Sequence, residues 1–380
     1  MKIALIARGC RPGAGIPRYT FELATRLAVR HEVVVITRPG EYAACPAALV
    51  PVPSARAPLW RSVLSFSTRA GFVAHQQAYD LVHTQGSDGR WGDVVTAHSC
   101  HLAGMRASLR AHPGWVNRLR KFFSLNHRAV VQMERNAFAS ARALVAVSRQ
   151  VRRQVRAAYP GTRHLPFHVI YPGVDPEAFA PAALDEWRGE TRRRLELAPE
   201  QTAFLLVATA PRLKGAERLI RALRALSEPK AVVVIATTLG LEPRLQRLAE
   251  RLGVGPWVRF LAAGRDPRPA YAACDAYVSL PEYESFGLSI LEAMAAGLPV
   301  LVTGNAGAVE LMKNEREGLI LHTWASEASV AAAMRRLLNE PGLRQRLGEA
   351  GRRTAGQYTW ERMTEALEQV YADVRREKAG

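Results

Sequence analysis

Short runs of aliphatic and β-branched residues recur along the chain, each followed by a longer stretch with helical spacing. In the first half these runs predict strands at residues 3–7, 32–37, 81–83, 93–97, 143–147 and 169–171. In the second half they predict strands at 204–208, 231–236, 258–261, 276–279, 300–303 and 318–321. The runs are apolar without strict alternation, as strands covered on both faces require. Repeated strand–helix units of this kind build a doubly wound parallel sheet. The series occurs twice, which predicts two such α/β domains facing a central cleft, with ligands at the carboxyl ends of the strands.

The segment PGVDPEAFAPAALDEWRG (172–189) is rich in Pro and Ala, carries no clear strand and reads as the interdomain linker. The boundaries follow as 1–178 for the first domain, 179–358 for the second and 359–380 for a final helix that packs back toward the first. In that helix Thr359 is the cap, and Met363, Leu367, Val370 and Val374 share a face.

Composition narrows the function classes. Apolar residues are 48% and charged residues 23% of 380, a globular balance that excludes a disordered chain. Apolar runs fall short of the roughly 18 residues of a membrane span. The opening run, 3–7, is shorter than the roughly 7–15 apolar residues of a signal peptide, so the expected location is the cytoplasm. Cys10, Cys45, Cys100 and Cys274 are scattered, which indicates neither a disulfide framework nor a structural metal.

Charge divides the chain. The total is +18, but residues 1–178 hold 24 basic and 9 acidic residues, a net of +15, and residues 179–380 hold 28 and 25, a net of +3. A general preference for Arg explains the choice of Arg over Lys and not this asymmetry. A polyanion or an anionic surface is the expected partner of the first half. Residues 106–156 carry twelve Lys or Arg and one acid, Glu134. There Trp115, Leu119, Phe122, Phe123 and Val130 interleave with Arg118, Arg120, Lys121 and Arg128, the composition of an interfacial helix. The same residues also suit a helix whose aromatics pack on the sheet, or a site for a soluble anionic acceptor.

Four places carry candidate chemistry. Gly9, Gly13 and Gly15 lie in the first strand-to-helix turn, but the spacing is not GxGxxG, and Arg38 ends the second strand where a nicotinamide site needs an acid. Gly15 marks either a close approach of backbone to ligand or a plain tight turn. His98 follows the strand DVVTA, where its ring can donate to a sugar hydroxyl or a phosphate. His101 is near, but no Cys or carboxylate cluster accompanies the pair to hold a metal. In TAPRLKGAERLI, Arg212 and Lys214 precede a helix, and two cations beside a helix N-terminus make an anion site. The strongest signal is LPEYESFGLSILEAMAAGLPV. Here a strand runs into a loop and then a helix from about Gly287 to Ala296, stopped by Gly297, with Glu284 before it and Glu292 within it. Carboxylates accept hydroxyl protons and first-turn amides bind phosphate, so this end suits a ligand with both groups.

On these residues the chain resembles the retaining GT-B glycosyltransferases of family 4. ESFGLSILE looks like that family's pair of glutamates eight positions apart. IYPGVDPEAF looks like its interdomain segment, with Pro172 where Asn is usual, RLKG like its donor-phosphate loop, and VAVSRQV like the helix entry that closes its first domain. The resemblance covers nearly the whole chain. It implies a nucleotide-diphospho-sugar donor, with UDP as the nucleotide, and no resident cofactor or metal. Glu284 would contact the donor sugar, Glu292 the ribose hydroxyls, and the amides of Phe286, Gly287 and Leu288 the sugar and diphosphate. Arg212 and Lys214 would neutralise the diphosphate, Gly15 would admit the donor, and His98 would position the transferring sugar. Two departures stand out. The position six before Lys214, often Arg, is Ala208, and the loop 236–240 lacks the common GxG form.

The implied reaction is retaining transfer to a hydroxyl acceptor in an envelope glycan or glycolipid such as lipopolysaccharide core, with Arg118, Arg120 and Lys121 facing the acceptor or the cytoplasmic face of the inner membrane. The alternatives are glycosylation of a soluble small molecule, an epimerase or a phosphorylase on the same architecture, and a basic nucleic-acid-binding protein. The last has no recognisable module in this sequence.

Overall fold

The computed structural model describes the chain apart from residues 14, 56, 112, 113, 116–118, 120, 122, 238–241, 263, 265 and 380. Arg118, Arg120, Phe122 and most of the 236–240 loop therefore lie outside the described residues. The chain divides into two compact units, Met1–Pro172 with Trp360–Gly380, and Gly173–Thr359.

In the first unit, β1 (Lys2–Ile6), α1 (Gly15–Leu27), β2 (Glu32–Thr37), β3 (Ala48–Pro51), α2 (Leu59–His75), β4 (Leu81–Gln85) and β5 (Val94–Ala97) come first. Then follow α3 (His101–Ala111), α4 (Leu125–Ser140), β6 (Ala143–Ala146), α5 (Arg149–Ala158) and β7 (Phe167–Val169). The sheet order is β3-β2-β1-β4-β5-β6-β7, parallel throughout. Ile3 to Ile6 are fully buried, which is why these strands read as continuous apolar runs. The edge strand β3 was not expected. Its four residues, ALVP, are exposed or half-buried and end in Pro, so they give no buried run to read.

The second unit has α6 (Pro181–Arg194), β8 (Thr202–Val207), α7 (Ala216–Leu226), β9 (Ala231–Thr237), α8 (Pro243–Arg251), β10 (Val258–Ala262), α9 (Arg268–Ala273) and β11 (Ala276–Ser279). It continues with α10 (Leu288–Ala295), β12 (Val300–Thr303), β13 (Gly318–Leu321), α11 (Glu327–Asn339) and α12 (Pro341–Ala355). Its sheet is also parallel, in the order β10-β9-β8-β11-β12-β13. The segment read as a linker is helical from Pro181, with Pro at the start of α6 where its missing N–H costs nothing. Arg188 and Arg192 anchor that helix, donating to Asp275 at 2.7 and 3.2 Å.

The last helix, α13 (Trp360–Ala379), belongs to the first unit. Met363, Leu367, Val370 and Val374 are buried there, together with Trp360 and Tyr371. The strand order reverses between β1 and β4 in one sheet and between β8 and β11 in the other. A crevice opens at the carboxyl end of a parallel sheet at such a reversal.

Candidate functional site

In the second unit the reversal sets the ends of β8 and β11 side by side, and each carries part of the site. After β8 the chain makes a short 3-10 turn, Pro211–Lys214, and then a left-handed residue, Gly215, at φ +84°. A Cβ on Gly215 would lie 2.4 Å from the Leu280 carbonyl oxygen, so only glycine lets this turn close on the end of β11. The contact is sealed by the Leu280 N–H, which donates to the Lys214 carbonyl at 3.0 Å. Arg218, which the sequence did not single out, donates to the carbonyls of Leu280 and Ala325 at 3.2 and 2.8 Å. It fixes the strand end from the helix side.

This packing joins Lys214 to Glu284 in an ion pair, both side chains largely covered. Burial pulls the Lys214 ammonium down to about 8. The loop that bears Glu284 is held from the next strand-to-helix turn. The Glu284 N–H donates to the Asn305 carbonyl at 3.1 Å, Gly307 donates to the Glu284 carbonyl at 3.2 Å, and Ala308 to the Phe286 carbonyl at 2.8 Å. The Asn305 side chain donates to the Glu282 carbonyl at 2.7 Å, and Thr303 to that of Pro281 at 3.1 Å. Gly287, at φ +97°, turns the loop into α10, which starts with no side-chain cap. Leu288 opens that helix.

The two glutamates lie in different surroundings. Glu292 is buried inside α10, where the Tyr271 hydroxyl donates to it at 2.7 Å and also reaches the Ser289 carbonyl. Tyr277 stacks on Tyr271 and donates to the Ser289 hydroxyl at 2.8 Å. Sequence spacing gave Glu292 but no hint of Tyr271, which comes from the helix before β11. Arg212 is half exposed and donates to Glu217, five residues on, at 2.8 Å. The structure thus brings Lys214 and Glu284 together and pairs Arg212 with the helix that follows it.

In the first unit, Gly15 opens α1 at φ +67° with open space where a Cβ would stand. The β4 and β5 ends are neighbours and carry Gln85 and His98. The His98 ring packs edge-on against Tyr19, centroids 4.7 Å apart, and its Nε2 lies 2.8 Å from the Gln85 Oε1. Burial drives the imidazole down to about 3, so it is neutral. The Nε2 side of this ring is thus turned to Gln85 rather than outward.

His101 and His127 form a second pair, 2.9 Å apart, on the wall of a cavity of about 490 Å³ that Lys121, Ser124, Asn126, Leu59 and Val130 also line. Trp115, Leu119, Phe123 and Leu125 are exposed, so these described aromatics and aliphatics are not packed on the sheet. Among the described residues no helix is long and apolar enough to cross a membrane, and no group of three His, Cys, Asp or Glu is placed to hold a metal ion.

Residues 13–178 match the family described as Glycosyltransferase Family 4, and residues 188–354 match Glycosyl transferases group 1. A D-inositol 3-phosphate glycosyltransferase of Salinispora arenicola is 36% identical over 221 residues, 54% of this chain and 49% of that protein. The match thus spans about half the length of that curated relative. One of the same name from Jonesia denitrificans is 29% identical over 322 residues, 78% of this chain and 72% of that protein. Among solved structures, WaaG, a glycosyltransferase involved in lipopolysaccharide biosynthesis, has a TM-score of 0.82 at 22% identity, covering 97% of this chain and 99% of that one. Anabaena HepE in complex with UDP-glucose has a TM-score of 0.71 at 18% identity, covering 98% and 100%. The fold is GT-B, two Rossmann-like domains.

Proposed function

Because the chain belongs to glycosyltransferase family 4, we propose that it moves a sugar from a UDP-sugar to a hydroxyl acceptor, with retention at the anomeric carbon. The observation that carries this reading is the Lys214–Glu284 pair, set at the strand reversal beside the amides that open α10. An ammonium and the N–H groups of a helix's first turn suit a departing diphosphate, and a carboxylate suits sugar hydroxyls. The transition state is oxocarbenium-like, so catalysis is positioning of the reactants and stabilisation of the leaving charge. Glu292 and its Tyr271 partner suit the ribose. The binding of UDP-glucose by a neighbour of the same fold supports the donor class. No metal is required in this reading, since Lys214 and backbone amides take the phosphate charge.

For the acceptor we favour an envelope glycan or glycolipid such as lipopolysaccharide core. The +15 charge of the first half supports this, as do the exposed Trp115, Leu119, Phe123 and Leu125, which suit docking on an anionic membrane. A phosphorylated cyclitol is the second reading, favoured by the names of the relatives. Incubation with UDP-, GDP- and ADP-sugars against acceptors of both kinds, with UDP release and the anomeric configuration of the product read by NMR, tests the proposal. Release from no nucleotide sugar, or inversion, refutes it.

A further inference from the structure

A buried polar chain runs behind His98. Its Nε2 lies 2.8 Å from the Gln85 Oε1, and the Gln85 amide nitrogen lies 3.4 Å from the Nε2 of His83. That same His83 nitrogen is 2.7 Å from the Thr96 hydroxyl, and His83 Nδ1 is 2.6 Å from the hydroxyl of Tyr371 on α13. Gln85, His83, Thr96 and Tyr371 are all fully buried, so none of these groups has water as a substitute partner. The directions of the bonds follow from chemistry. His83 is held at both ring nitrogens, one by the Thr96 hydroxyl and the other by the Tyr371 hydroxyl, so its ring is fixed in place behind Gln85 whichever nitrogen carries the proton. The amide oxygen of Gln85 only accepts, so His98 must carry its proton on Nε2 and present a bare Nδ1. Burial keeps both rings neutral, since each is driven down to about 3.

We propose that Gln85 is a positioning residue which, braced by His83 and the Tyr371 hydroxyl of α13, locks His98 in the Nε2–H tautomer and so makes its Nδ1 a hydrogen-bond acceptor. This rests on the reading that His98 faces the reacting sugar, and it adds the polarity of that contact. An acceptor nitrogen receives a proton from a sugar or acceptor hydroxyl; it repels a phosphate oxygen. The amide oxygen of Gln85 sets the His98 imidazole, which a hydrophobic residue of equal size does not do. Nothing in the spacing of His83, Gln85 and His98 marks this in the sequence, because the register of β4 against β5 makes the contact.

The test uses the whole protein with ¹⁵N-labelled histidine. The expected spectrum gives His98 a proton-bearing Nε2 and a bare Nδ1. In Gln85→Met, which keeps the volume and removes both amide ends, His98 becomes a mixture of tautomers. The kcat for UDP release from UDP-glucose then falls about tenfold, the value of one lost hydrogen bond, while KM for UDP-glucose changes less. A His98 proton on Nδ1 in the wild-type spectrum overturns the proposal even if the variant fails to fold. Unchanged His98 signals in a folded Gln85→Met overturn it as well. Full activity of His98→Ala would instead remove the reading of His98 beneath it while leaving the tautomer as found.

Discussion

Glu284→Gln keeps the shape of the side chain at the end of β11 and removes its charge. Two opposite charges in contact interact by about 4–5 kcal/mol at an effective dielectric near 20, the value suited to a partly covered pair. Burial already holds Lys214 at about 8 with the carboxylate beside it. Without the carboxylate the lysine midpoint should fall further, because the opposite charge that favours the ammonium is gone. The wild-type lysine is mostly charged at pH 7, and the variant's less so. If the ammonium binds the donor diphosphate, its loss removes a charged hydrogen bond of about 1.5–3 kcal/mol, some tenfold to a hundredfold in affinity. Titration calorimetry with UDP from pH 5.5 to 9 reads this directly. Wild-type affinity should hold to about pH 8 and then weaken, whereas the variant should begin to weaken at a lower pH. Superimposable pH profiles would refute the reasoning. Stability gives an independent check. The folded lysine titrates near 8 and the unfolded one near its ordinary 10.5, so between those values the unfolded chain binds more protons and wild-type stability rises with pH.

Gly215→Ala should cost about 3 kcal/mol or more in chemical denaturation, because it combines a left-handed backbone with a 2.4 Å approach to Leu280; a loss under 1 kcal/mol would show that the turn relaxes. Burial raises Glu134 from 4.5 to about 7, so the folded state holds the extra proton and stability falls as pH rises through that window. Glu134→Gln should flatten that slope, and an unchanged slope would assign it elsewhere. Vesicles with acidic lipids should co-sediment the protein, less so at high salt and less so for Lys121→Glu with Trp115→Ser; no binding at low salt would point the acceptor reading to a soluble molecule. Activity should persist in excess EDTA, and complete loss restored by Mg²⁺ would contradict a site that stabilises diphosphate with Lys214 and amides alone.

The strands were legible where burial on both faces writes a continuous apolar run. The runs at 276–279, 300–303 and 318–321 match β11, β12 and β13 residue for residue. The last strand of the first sheet lies two residues earlier than its run suggested, at Phe167–Val169, because Ile170 and Tyr171 lead out of the sheet. The helix Pro181–Arg194 was hidden by an Ala- and Pro-rich start that reads as a tether, and by a weak apolar face whose anchors are two arginines rather than leucines. At the candidate site the loop and helix of ESFGLSILE were visible from glycine punctuation. The partnerships were not. Lys214 meets Glu284 across seventy positions because β8 and β11 are neighbours, and Arg212 turns to Glu217 because that carboxylate opens the helix just after it. Sequence spacing reports what a residue can do, and strand order decides what it does it with.

The return of α13 to the first unit has a bearing on how the protein is made. Trp360 and Tyr371 are wholly enclosed in that unit's core, yet they leave the ribosome after every residue of the second unit. The second unit, contiguous from Gly173 to Thr359, has all of its strands available before the last helix emerges. The first must wait, with the cavity for an indole and a phenol open and His83 lacking its hydroxyl partner. Vectorial synthesis therefore inverts the usual order for a two-domain chain: the half translated first is the half completed last, and a chain released before residue 360 carries every residue of the second unit behind an unfinished first one.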